Sequence, residues 1–228
     1  MEIRQTLGNN LCVKLDPENN FIELKSGIKL DVDTSYEPEK HIVRVGEVIA
    51  APTRLIQRDL PWTTEVEILK GDKVFMYFLA VQNCLAPEKK NYYREGKDVY
   101  IFIKYHNIYA ILRDGKIIPV NGYILVEPME DPYWLRTQKR ARMNHLELPD
   151  LRKYDKKTVV YGKVAYIGKP NIEYNHPYRT DEHVDVEVGD EIVMGRIRDI
   201  PVEYEYHAKI DGGRKLYRIQ RHDIMAKL

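Results

Sequence analysis

The chain has 228 residues, 36 basic against 35 acidic side chains for a formal net charge of +1, and 10% aromatic residues that include 17 tyrosines. Both halves are close to neutral, so nothing in the overall charge calls for a polyanionic partner, and two cysteines, Cys12 and Cys84, with neither metal spacing nor a disulfide framework, suit a reducing compartment. The first residues lack the apolar core of a signal peptide and no apolar run approaches membrane-spanning length, which sets the expectation of a soluble cytoplasmic protein with no membrane association.

In chain order, Leu11-Cys12-Val13-Lys14-Leu15 reads as an opening strand that ends in Asp16-Pro17. Residues 18–41 are polar and broken at Ser26-Gly27, with Ile28 and Leu30 flanking Lys29, which predicts a long loop with an apolar tip; the alternation of Ile28 and Leu30 equally fits a short extra strand with one buried face. Gly46-Glu47-Val48-Ile49-Ala50 reads as a strand, Lys70-Gly71-Asp72-Lys73 as a tight turn, and residues 74–81 and 99–105 as strands rich in β-branched and aromatic side chains. An insertion around residues 83–98 precedes Tyr109-Ala110-Ile111-Leu112-Arg113, the closing segment of the first half.

The second half repeats these landmarks in order. Tyr123-Ile124-Leu125-Val126 ends in Glu127-Pro128, Gly162-Lys163-Val164-Ala165-Tyr166 follows, then Val188-Gly189-Asp190-Glu191, and Tyr217-Arg218-Ile219-Gln220-Arg221 closes. Landmarks displaced together by about 110 residues imply duplication of a whole domain, with units expected at residues 1–117 and 118–228, joined near residues 117–119. Between its opening and glycine strands the second copy carries a second long segment, residues 129–157, dense in charge through Arg136, Lys139, Arg140, Arg142, Arg152, Lys153, Lys156 and Lys157. It is predicted as a loop.

These residues resemble the GroES family of co-chaperonins. Gly27-Ile28-Lys29-Leu30 stands where that family carries its mobile-loop tripeptide, and Gly46-Glu47-Val48 and Lys70-Gly71-Asp72 follow in order. In the second copy Gly162-Lys163-Val164, Val188-Gly189-Asp190 and His222-Asp223-Ile224-Met225-Ala226 match, while the mobile-loop position offers only Leu146-Glu147-Leu148. The resemblance implies an all-β chain of two tandem GroES-like small β-barrels, each with a long mobile loop. It further implies docking on a GroEL-type chaperonin through Gly27, Ile28, Lys29, Leu30, Leu146, Glu147 and Leu148, and a homo-oligomeric ring that assists ATP-dependent protein folding. The alternative is a structural or assembly protein, such as a virion component, that reuses the module without binding a chaperonin.

No catalytic constellation emerges. Asp72 and Asp190 read as turn residues rather than paired catalytic carboxylates, no His-Glu-X-X-His, Cys-X-X-Cys, Gly-X-Ser-X-Gly or phosphate-cradling glycine loop occurs, and neither enzyme activity, a metal nor a cofactor is expected. His106 beside Tyr105 and His207 beside Tyr206 suggest a shared packing role. The basic stretch could touch phosphate, but Glu147, Asp150 and Asp155 interleave, so a solvated loop is the expectation and nucleic acid is not counted among the partners.

Overall fold

The computed structural model describes residues 3, 5–16, 21–23, 26, 29–31, 42–86, 88–89, 91–130, 132–144, 161–171, 173–174, 185–194, 204–206 and 215–228. The chain is predominantly β-sheet, in two large antiparallel sheets with two α-helices among the described residues. It divides into two compact units, Met1–Asn121 with Asn171–Arg179, and Gly122–Pro170 with Thr180–Leu228.

The first unit contains β1 (Asn10–Leu15), β2 (Phe21–Glu23), β3 (Lys29–Asp31), β4 (Val45–Ala50), β5 (Trp62–Thr63), β6 (Lys73–Met76), helix α1 (Phe78–Leu85), β7 (Tyr92–Glu95), β8 (Asp98–Lys104), β9 (Ile108–Arg113) and β10 (Lys116–Pro119). The second contains β11 (Tyr123–Met129), helix α2 (Pro132–Met143) and β12 (Tyr161–Ile167); after β13 (Glu173–Tyr174), which belongs to the first unit and pairs there with β5, it continues with β14 (Glu191–Met194), β15 (Tyr204–Tyr206), β16 (Lys215–Gln220) and β17 (Ile224–Lys227).

The strand orders coincide. In the first unit the sheet runs β10-β9-β6-β4-β1-β8-β7, and in the second, read from its other end, β17-β14-β12-β11-β16-β15. Apart from β10, each strand of one has a counterpart in the other, and the irregularities coincide as well. Between Cys12 and Val13 the pairing of β1 with β4 skips Ile49, and between Leu125 and Val126 the pairing of β11 with β12 skips Ala165. A second bulge places Tyr109 of β9 and Met225 of β17 in the same position. Bulges bend a strand and sharpen its twist, so equal bulges give the two sheets the same bends. Neither strand order closes on itself among the described residues.

Two glycines make the central pairing possible. A side chain at Gly46 would run into the Lys14 carbonyl and a Val13 methyl of β1, and one at Gly162 into a Val126 methyl and the Glu127 carbonyl of β11. Only glycine lets the crossing strands approach so closely.

Alternation in β1 sends Leu11, Val13 and Leu15 into a core shared with Val48, Val74, Ile101 and Ile103, closed by Phe78, Val81 and Cys84 of α1. The core of the second unit is built on the same plan, around Ile124, Val126, Val164, Ile192, Met194 and Ile219 among the described residues.

Four expectations are corrected. Residues 74–81 are not one strand: β6 ends at Met76 and α1 begins at Phe78, whose turn spacing with Val81 packs one helix face against β8. Part of the expected loop at 129–157 is helix α2, which Pro132 opens at the first position, where its missing N–H costs nothing, and which Leu, Arg, Gln, Lys, Ala and Met then favour. The two closing segments are not equivalent, because residues 217–220 lie in β16, the counterpart of β8, whereas Tyr109 lies in β9, the counterpart of β17. Register therefore matches His106 with His222, both in short 3-10 turns, Tyr105–Asn107 and Arg221–Asp223; His207 lies outside the described residues. The expected junction at 117–119 falls inside β10, which hairpins from β9 through Asp114 (φ 52°) and Gly115 (φ 73°).

Candidate functional site

The resemblance points to the arms that leave each sheet after its opening strand. In the first unit the described part of the arm is a two-stranded hairpin, β2 against β3, pairing Phe21 with Asp31, Ile22 with Leu30 and Glu23 with Lys29. Lys29 and Leu30 thus stand on an extended, paired backbone, and Ser26 is exposed at the turn. Gly27 and Ile28 lie outside the described residues. So do Leu146, Glu147 and Leu148, and the described part of the second arm is α2. The structure therefore brings Lys29 and Leu30 into one element.

At the base of each arm sits the Gly–Asp turn, built identically in the two units. Gly71, in the left-handed region at φ 89°, donates its N–H to the Val48 carbonyl at 2.8 Å, while Val48 donates back to the Asp72 carbonyl at 2.9 Å. Gly189 (φ 99°) and Val164 repeat this, with 2.8 Å from Gly189 to the Val164 carbonyl and 2.8 Å from Val164 to the Asp190 carbonyl. Each aspartate then closes its own turn, Asp72 accepting from the Leu69 N–H at 2.7 Å and Asp190 from the Glu187 N–H at 2.7 Å. These backbone N–H bonds, with a cation beside each carboxylate, give both aspartates a part in closing the turn.

The cations differ. Arg113 grips Asp72 with both arms of its guanidinium, Nε to Oδ1 at 2.8 Å and a terminal nitrogen to Oδ2 at 2.6 Å, and also reaches the Glu67 carbonyl at 2.8 Å. Asp190 receives, among the described cations, the Lys227 ammonium alone, at 2.8 Å, which together with the Glu187 N–H holds its carboxyl below the usual range.

The segment before the first Gly–Asp turn is pinned by Tyr105, whose hydroxyl accepts from the N–H of Glu67 at 2.6 Å and of Ile68 at 3.2 Å and donates to the Glu65 carbonyl at 3.2 Å. Burial pushes this phenol up to about 12. Its counterpart by register, Arg221, is also buried and donates to the Gly168 carbonyl at 2.6 Å. His106, next to Tyr105 and edge-on to Trp62 at 6.4 Å, is held below its usual range by burial and then by the Lys104 charge. Cys12 and Cys84 are free, buried and pushed up to about 11 by desolvation, which leaves them as inert thiols.

A groove of about 560 Å³ runs beside α1, lined by Asn10, Asn83, Asn91 and Asn107, by Lys89 and Lys104, and by Tyr77, Leu79 and Phe102. Among the described residues its lining holds amides and ammonium groups but neither carboxylate nor histidine. Among the described residues no group of three or more His, Cys, Asp or Glu side chains is placed to hold a metal ion, and no helix is long and apolar enough to cross a membrane.

The α2 helix was hidden from the sequence reading by its charge, although Pro132 followed by a run of helix formers was a legible signal. No protein-family model matches the chain, and no curated protein matches it.

Proposed function

We propose that the chain is a co-chaperonin similar to the GroES family, in which two tandem β modules carry arms that dock on a GroEL-type chaperonin and assist ATP-dependent folding. The observation that carries this reading is the place of the arms. In both units the chain leaves the sheet after the opening strand and re-enters it at the glycine strand, β4 or β12, beside a Gly–Asp turn bonded in the same way. The barrel-like character of the module is inferred from its shared strand order and bulges. A ring of copies gives the outer strands β7 and β15 partners, which unpaired strand edges require.

Docking in this scheme is weak per arm and strong in sum. Two anchors such as Ile28 and Leu30 supply about 3–6 kcal/mol on burial, against about 1–2 kcal/mol for each backbone residue that binding orders. Pairing of β2 with β3 fixes part of the arm beforehand and lowers that second cost. Several arms on one ring then raise each other's effective concentration. The chain brings no chemistry of its own; nucleotide turnover belongs to the partner.

The test is to mix the protein with a GroEL-type chaperonin and ATP. The expected result is a capped particle and slowed ATP turnover, both abolished by Ile28→Ser with Leu30→Ser while thermal unfolding is unchanged. Loss of the fold in that variant would instead assign the pair to a structural strand.

A second reading, a structural or assembly protein built on the same module, draws on the difference between the arms: β2 and β3 form a hairpin in the first, whereas a helix occupies the second. An oligomer of fixed mass that leaves chaperonin ATP turnover untouched would select it.

A further inference from the structure

We propose that helix α2 is a docking surface for the phosphate backbone of duplex nucleic acid, bound without sequence preference. The helix PYWLRTQKRARM contains four cations and no acid. Ala141 is 7% exposed and marks its inward side, with Thr137 and Gln138, one turn earlier, half-buried. Arg136, Lys139, Arg140 and Arg142 are all exposed. At about 3.6 residues per turn they spread over an arc of roughly 160° on the outward side. Among the described residues none of the four enters an ion pair.

Four like charges within three turns repel one another, and the helix dipole accounts for only part of them. Arg140 and Arg142 lie in the last turn, where cations complement the carbonyl end; Arg136 and Lys139 lie before it. An anion that meets all four removes the repulsion.

The shape of the charge selects the anion. An arc this wide reaches two facing walls of negative charge, which a nucleic-acid groove presents and a flat bilayer or acidic protein surface does not. A helix about 10–12 Å across fits a major groove about 12 Å wide, and 12 residues cover about 18 Å, some five base pairs. Three of the four cations are arginines, whose planar fork grips phosphate oxygens in pairs. Leu135 and Met143 are also exposed, at 44% and 73%, but Lys139 sits between them on the same line of the helix. The apolar stripe that an interfacial membrane helix needs is therefore interrupted. Near-neutral overall charge supplies no long-range attraction, so binding is local, weak and steeply dependent on salt.

The experiment is a fluorescence-anisotropy titration of the full chain with a labelled duplex of about 20 base pairs across 50 to 200 mM salt. With four phosphates neutralised, the logarithm of the binding constant should fall with the logarithm of salt at a slope near −3.6, at about 0.9 per phosphate. Arg136→Gln with Arg140→Gln should bring the slope near −1.8 and leave circular dichroism unchanged; Lys139→Gln with Arg142→Gln should do the same and serves if the first pair fails to fold. The proposal is overturned by absence of binding at 50 mM salt, by binding that neither variant weakens, or by tighter binding to polyglutamate or to phosphatidylserine vesicles than to the duplex.

Discussion

In the first unit a guanidinium holds both oxygens of the turn aspartate, at 2.8 and 2.6 Å, and a tyrosine hydroxyl ties down the residues that lead into that turn. In the second unit one ammonium holds the equivalent aspartate at 2.8 Å, and the residue matching that tyrosine is an arginine that bonds elsewhere. The two bulge positions diverge in the same direction: Tyr109 is 1% exposed and lies 6.5 Å from the Phe75 ring, whereas Met225 is 72% exposed. The backbone plan is common to both units. At these matched positions the side chains differ while the backbone bonds around the Gly–Asp turn do not, so those bonds define the module.

The largest effect should come where strand meets strand. Gly46→Ala forces a methyl group against the Lys14 carbonyl, which is backbone and cannot turn aside, and should cost about 3 kcal/mol; at Gly162→Ala the nearest obstacle is a Val126 methyl that can rotate, and about 1–2 kcal/mol is expected. Urea midpoints compare the two, and an equal loss would mean that the units cross their strands equally tightly.

The ion pairs come next. Asp72→Ala leaves Arg113 half-buried without its carboxylate and the Leu69 N–H without its acceptor, an expected loss of about 2–3 kcal/mol. Asp190→Ala removes one exposed ammonium contact and one N–H contact, and its thermal shift should be visibly smaller.

The smallest effect concerns pH. His106 is held neutral by burial, with its folded-state value below the ordinary 6.5, so the unfolded chain takes up a proton first as pH falls. Its contribution is complete above pH 6.5 and is lost as pH falls from there toward the folded value, with a slope no steeper than about 1.4 kcal/mol per pH unit. His106→Asn should flatten this limb of the stability curve, measured by chemical denaturation between pH 7 and 5; an unchanged limb would place the titrating group elsewhere.

The glycine strands and the Gly–Asp turns were legible because each rests on a local steric or hydrogen-bond requirement that residue type announces; the acid-proline pair Glu127-Pro128 did not mark a strand end, since β11 runs on to Met129, and Pro17 lies outside the described residues. The closing segments were not legible. Tyr109 and Tyr217 begin similar alternating runs, but strand register joins residues far apart in sequence, and only pairing shows that one run is β9 and the other β16. The reliable marker was His106-Asn107-Ile108 against His222-Asp223-Ile224, the same turn in both units. Helix α1 was missed because Phe78 and Val81 continue an aromatic and β-branched run begun in β6, so that tertiary packing rather than propensity ends the strand at Met76. Asp114-Gly115 was a readable hairpin signal, and with it β10 could have been placed. Of the proposed docking residues, Lys29 and Leu30 lie in β3, while Ile28, which the alternation grouped with Leu30, lies outside the described residues.

The most direct test of a common backbone plan is amide hydrogen exchange at four positions, Val48 and Gly71 in the first unit and Val164 and Gly189 in the second. Protection at all four is the result expected from paired bonds of equal geometry. Protection at Val48 and Gly71, with Val164 and Gly189 exchanging at the rate of an open chain, would contradict it.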